Sequence, residues 1–251
     1  NCFAQLEHKI PGLEVYNFAL PRTGPREYAA QLRREVLAYR PDLIVVLVSV
    51  GSDITDELPA PGIFDVRGLR IYQLAATTWG APSPQRDRAA TVVDGPAERL
   101  QRQVRSERQL VVCRTPLDKS MRGRWVETYQ HLDDLIRQAG RQEVEVVLAA
   151  APSACQVSPS LCAQLQRRLG LAPASVDLEL PQRRLASFAA GRDVTWIDLL
   201  PSLRQTAAPP FERSGDEFSA AGNQAVAQAL EHCLATHHRE LATPVAQATP
   251  R

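Results

Sequence analysis

Hydrophobic residues recur along this chain with two different periods. A short unbroken run of apolar or small residues, rich in Val and Ile, occupies residues 43–50, and mostly apolar runs occupy 144–150 and 194–199. Runs of this kind read as strands buried on both faces, because a strand with one wet face would alternate. Other stretches repeat their apolar residues at helical spacing. Phe3, Leu6 and Ile10 mark the end of a helix over 2–9, stopped by Pro11-Gly12. Tyr28, Leu32, Val36 and Leu37 give the inner face of a helix over 26–39. Trp125, Tyr129, Leu132, Leu135 and Ile136 do the same over 121–139. Further helices are predicted over 158–169, 181–190 and 220–236. The first of these carries Pro159 in its opening turn and Gly170 at its stop. Residues 13–18, Leu-Glu-Val-Tyr-Asn-Phe, alternate and predict a fourth, short strand.

Strands alternating with helices make an α/β domain with a mostly parallel sheet. The chain has 251 residues, enough for one large domain over 1–236. Residues 66–79 read as a helix. Residues 80–108, rich in Pro, Arg, Ser and Asp, read as a mobile insertion, and 237–251 as a disordered tail. A site in such a fold belongs over the carboxyl ends of the strands. Here that means residues 19–25, 51–57, 152–158 and 211–219.

Composition narrows the function classes. The net charge of +1 gives no basic surface for nucleic acid. No apolar run is long enough to cross a membrane, and 1–12 lacks the apolar centre of a signal peptide. The compartment is left open. The chain does not begin with Met, which points to a longer precursor or a shortened version. Five cysteines, at 2, 113, 155, 162 and 233, form no CxxC pair. Neither a disulfide framework nor a metal site follows, and no cofactor is implied. Cys155 and Cys162 could meet near a helix start, although each cysteine is expected to be a buried thiol. The histidines at 8, 131, 232, 237 and 238 fall outside the strand-end loops and read as solvated or helix-face residues.

Three of the strand-end loops resemble the SGNH/GDSL hydrolase superfamily, bacterial members of the planctomycete type in particular. Residues 41–57, PDLIVVLVSVGSDITDE, are similar to the family's strand ending in Gly-Asn-Asp. NFALPRTGP, residues 17–25, resembles its second glycine loop. GDEFSAAGNQAVAQAL, residues 215–230, resembles the loop that opens its last helix. The resemblance implies a three-layer α/β/α, flavodoxin-like fold over 1–236. It also implies acyl transfer from an O-ester, with an acylated carbohydrate or small ester as the partner. That chemistry needs a Ser nucleophile in a Gly-Asp-Ser turn, a His base, an orienting Asp and oxyanion donors.

The chain departs from the pattern at each of those places. No Gly-Asp-Ser precedes Cys2, so the first strand of the family is absent from 1–251. The glycine of the second loop falls on Arg22 and the oxyanion Asn on Ser52, with Asp53 beside it. The orienting Asp falls on Gly215 and the His on Glu217, with Asp216 adjacent. Glu217 could serve as a base and Ser52 as a hydroxyl donor, but no nucleophile is present. Ser153 and Ser158 lie near a strand end without a His partner. An SGNH/GDSL-like protein lacking triad activity is therefore expected. The alternatives are a carbohydrate- or acyl-binding domain and a truncated vestigial product.

Overall fold

The computed structural model describes residues 2–10, 12–20, 23–55, 109–212 and 217–237. The expected helix over 66–79, the insertion over 80–108 and the tail over 238–251 lie outside them.

Among the described residues the sheet has three strands: β1 (Leu43–Ser49), β2 (Glu145–Ala151) and β3 (Thr195–Asp198). They are parallel, in the order β1-β2-β3. The register sets Leu43 against Glu145 and Ser49 against Ala151, and Ala150 against Asp198. All three strands therefore finish on one rim. The helices are α1 (Cys2–Lys9), α2 (Pro25–Arg34), α3 (Lys119–Gly140), α4 (Ala154–Val157), α5 (Pro159–Arg168), α6 (Leu180–Ala190), α7 (Leu200–Arg204) and α8 (Ala220–His237). The protein is thus a mixed α/β chain built on a small parallel sheet.

Local chemistry accounts for these elements. The α3 helix opens on Asp118, whose Oδ1 accepts from Met121 N at 2.8 Å. Its buried residues, Met121, Trp125, Thr128, Leu132, Leu135 and Ala139, follow the 3–4 spacing that puts them on one stripe. The α5 helix opens on Ser158, which accepts from Leu161 N at 3.3 Å, with Pro159 in the first turn. It is followed by Gly170 at φ +62, the left-handed position where a glycine costs least. The turns from α3 into β2 and from α6 into β3 repeat one device. Val144 N and Val194 N each donate back to an alanine carbonyl of the helix end, Ala139 and Ala189. Each turn passes through a left-handed residue, Glu143 or Asp193.

Alternate residues of β2 face opposite ways. Val146, Leu148 and Ala150 pack with α2, α3 and α6, around Leu32, Trp125, Leu132 and Leu185. Val147, Ala149 and Ala151 pack with α1 and α8, around Leu6, Val226 and Leu230. Helices therefore cover both faces of β2. The α1 and α8 helices run side by side in the same direction: Cys2 N donates to Asn223 Oδ1 at 3.1 Å, and Lys9 Nζ meets Glu231 Oε2 at 2.6 Å.

Three expectations need correction. Residues 13–18 form no strand. Their alternating pattern meets no partner ladder, and the segment is held by side chains instead. Val15 N donates to Glu7 Oε1 at 2.8 Å, Gln31 Nε2 donates to Phe18 O at 2.8 Å, and Tyr16 and Phe18 pack on Tyr39. The sheet accordingly has three described strands rather than four. The second correction concerns β1, which is not buried on both faces. Val46 and Val48 are buried, but Val45, on the other face, is 39% exposed. The predicted helix over 26–39 also breaks: it is α-helical only to Arg34 and closes with a 3-10 turn at Val36–Tyr39.

Candidate functional site

The rim above the strands is shaped first by the turn after β1. Val50 is buried, and Gly51 to Thr55 coil back over the end of the strand. A Cβ on Gly51 would stand 2.9 Å from both Gln109 Cγ and Ser153 Cβ, so only glycine fits between them. Asp53 then organises the turn. Its Oδ2 accepts from Tyr28 Oη at 2.6 Å and Ser49 N at 2.7 Å, and its Oδ1 accepts from Ser52 Oγ at 2.9 Å. Burial and the Asp53 carboxylate push the Tyr28 hydroxyl well above its ordinary range, so it stays protonated and donating.

Behind this turn lies a buried polar network. Gln156 Oε1 accepts from Ser153 N at 2.9 Å and Ser153 Oγ at 3.3 Å. Its Nε2 donates to Leu178 O and to Gln182 Oε1, both at 2.6 Å. Gln109, Ser153, Gln156 and Gln182 are all buried. Buried polar groups are as a rule partnered; here Gln182 accepts from Gln156, while its own Nε2 has no hydrogen-bond partner.

The family-type positions come out unevenly. Arg22, Gly215 and Asp216 lie outside the described residues. Ser52 and Asp53 are half-buried and bonded to each other. Glu217 is exposed on the loop before α8. Its carbonyl accepts from Glu212 N at 2.8 Å, and the loop closes through a Phe211–Phe218 bridge with stacked rings. Ser153 bonds within the buried network, and Ser158 caps α5. Of the histidines, His8 and His232 are exposed on helices, and His131 is half-buried on α3. Among the described residues no histidine side chain hydrogen-bonds a serine, cysteine or carboxylate. No cluster of His, Cys, Asp or Glu among them could hold a metal ion, and no described helix is long and apolar enough to cross a membrane.

Sequence reasoning placed Tyr28 on the inner face of α2 but gave it no role at the rim. It also passed over Gln109, Gln156 and Gln182. Gln109 follows Arg108 and Gln182 precedes Arg183, so the pattern alone reads both as solvated positions.

A separate cleft of about 820 Å³ lies between β3, α7 and α8. Its polar lining is Asp198, Ser202, Gln205, Thr206, Gln224, Gln228 and His232, and its apolar lining includes Ile197, Ala221, Ala225 and Ala229. Among the described residues no Arg or Lys lines it. Asp198 Oδ1 accepts from Leu200 N at 2.9 Å, just ahead of α7. Desolvation nonetheless raises its carboxyl above the ordinary 3.8. A carboxyl raised in the folded state favours folding when protonated. That contribution is full below 3.8 and is lost as pH rises through the higher folded value. Asp198→Asn keeps an acceptor oxygen for Leu200 N and removes the charge. The variant is therefore expected to unfold at higher urea than wild type at pH 7, with the gain vanishing below pH 4. Equal gains at both pH values would contradict the assignment.

No family model, no curated protein and no solved structure matches the chain.

Proposed function

We propose that this chain is an SGNH/GDSL hydrolase-like domain, related by loop pattern to O-acyl hydrolases and acetyltransferases, that performs no triad chemistry. The observation that carries the reading is the Gly51-Ser52-Asp53 turn at the end of a parallel strand, with its side chains committed to one another. In the proposed lineage this turn supplies an oxyanion donor. Here Ser52 Oγ is spent on Asp53 and Asp53 on three donors. A triad missing even one member loses about a thousandfold to a millionfold in rate.

A binding role is favoured as the second reading by the cleft beside α8. Its volume falls in the range of small-ligand sites. Its amides and hydroxyls donate and accept equally, which suits the hydroxyl and acetyl oxygens of a neutral acetylated saccharide better than an anion. One assay separates the readings. Purified protein is incubated with p-nitrophenyl acetate and with an acetylated oligosaccharide. We expect no turnover above a Glu217→Ala control, and Glu217→His is expected to add none. Turnover that disappears in Glu217→Ala overturns the inactive reading. A melting temperature raised by the oligosaccharide, with its acetyl groups intact, favours binding.

The proposed fold also requires a further strand, in the family the one that ends in the nucleophile, beside β1. Such a place is consistent with β1, whose sequence is that of a central strand while Val45 stands 39% exposed. Among the described residues β1 pairs only with β2. Hydrogen exchange of the 251-residue chain is expected to show β1 amides less protected than those of β2. Equal protection in a monomer would mean that the edge is already filled. Reading the coding sequence ahead of Asn1 for Gly-Asp-Ser, and labelling any longer product with a fluorophosphonate, tests for the nucleophile itself.

A further inference from the structure

The cleft beside α8 holds a carboxylate and, among the described residues, no Arg or Lys to balance it. That carboxylate is Asp198, half-buried at the end of β3. Its Oδ1 accepts from Leu200 N at 2.9 Å, and no described group donates to its Oδ2. Arg204, the cation that acts on it, is itself bonded to Gln156 O at 3.1 Å and to Glu179 Oε1 at 3.0 Å. Desolvation is the largest influence on the Asp198 carboxyl and raises it; Leu200 N lowers it, Glu179 raises it and Arg204 lowers it. A half-buried carboxylate so little compensated gains from a cation that reaches its free oxygen, because charge-assisted hydrogen bonds are the strong ones.

The walls of the cleft suit a cation that also carries hydroxyls. On α8, Ala221, Ala225 and Ala229 recur every four residues and so share one face of the helix. They give a short apolar strip against which the C–H face of a sugar ring can lie. Gln224 and Gln228 recur beside them, both exposed, and Ser202 joins the lining from α7. No described group bonds these three side chains, so their amides and hydroxyl are free to donate to and accept from sugar hydroxyls. Thr206 Oγ1, by contrast, donates to Leu203 O at 3.0 Å. An anion would be repelled by Asp198, and a wholly apolar ligand would strip water from the amides without replacing it.

We propose that this cleft binds an amino sugar, with its ammonium against Asp198 and its hydroxyls on Gln224, Gln228 and Ser202. The proposal rests on the binding reading of the cleft and narrows it. A saccharide with a free amine adds, to the oxygens already matched by the lining, the positive charge that the lining lacks. Pairing replaces the water that the carboxylate has lost with a partner of opposite charge. Discrimination between a free amine and its neutral acetamide therefore lies at this one residue, and the alanine strip and the glutamines discriminate a sugar from a plain amine.

Isothermal titration of the 251-residue chain at pH 7 tests this with glucosamine disaccharide, its N,N′-diacetyl counterpart and ethanolamine. The free-amine disaccharide is expected to bind wild type about tenfold more tightly than the diacetyl form. In Asp198→Asn, which keeps an acceptor for Leu200 N and is expected to fold, the ratio should fall to about one. Gln228→Trp, at an exposed position on the cleft wall, should abolish binding of both disaccharides. Ethanolamine should bind at least about tenfold more weakly than the free-amine disaccharide. If the diacetyl form binds as tightly as the free amine, the proposal is overturned and the binding reading of the cleft still stands. A ratio that persists in Asp198→Asn, or binding unchanged in Gln228→Trp, places the amine elsewhere and also overturns it. Ethanolamine matching the disaccharide overturns the assignment of a sugar. Binding of neither disaccharide overturns the proposal and the binding reading together.

Discussion

Replacing Trp125 by alanine is expected to lower stability by about 3–5 kcal/mol, the usual cost of truncating a large buried aromatic. Trp125 is 1% exposed and sits in the middle of the α3 stripe. Its ring packs 5.5 Å from Tyr129, which stacks on Phe188 of α6 at 5.1 Å. Arg184 of α6 lies over the indole at 5.5 Å. The residue therefore joins α3 to α6 over one face of the sheet, and its loss leaves a cavity that helices fixed by so many other contacts close poorly. Total stability of a domain is about 5–15 kcal/mol, so the variant stands near the edge of folding. Trp125→Phe keeps a ring and is expected to cost much less. Urea unfolding measures both. A loss below about 1 kcal/mol for Trp125→Ala, at unchanged m-value, would contradict this packing.

Asp53→Ala is expected to cost about 2–4 kcal/mol, since hydrogen bonds to a charged acceptor contribute about 1.5–3 kcal/mol each and the site is only half-buried. Three donors lose their acceptor together: the Tyr28 hydroxyl, the Ser49 amide and the Ser52 hydroxyl. The turn over β1 then loses its anchor. Exchange of the Ser49 amide should accelerate, and the Tyr28 phenol should titrate at lower pH than in wild type. Burial, the larger cause of its raised value, remains, so the phenol should not return to the ordinary range. Asp53→Asn keeps one acceptor oxygen and should fall between the two. A Tyr28 titration unchanged in Asp53→Ala would separate the carboxylate from the phenol and remove Asp53 from the centre of the rim.

The sequence by itself determined the elements whose signals are local. Mostly apolar runs declared β1, β2 and β3, because strands of a sheet covered by helices need mainly apolar side chains. The 3–4 spacing around Trp125 declared α3, and Pro159 and Gly170 bounded α5, because caps and breakers act within one turn of chain. The same locality explains two of the misreadings. Residues 13–18 alternate as a strand would, but a strand exists only where a neighbour offers a ladder, and here the segment is tied to Glu7, Gln31 and Tyr39 instead. Val45 sits in a run that reads as fully buried, yet burial of its face depends on what lies beside β1. Only the tertiary structure decided which polar groups converge. Tyr28 meets Asp53 across α2 and β1, and Gln156 meets Gln182 across α4 and α6. Such pairings depend on how helices settle on a sheet, through contacts between residues far apart in the chain, and no period or spacing in the sequence encodes them.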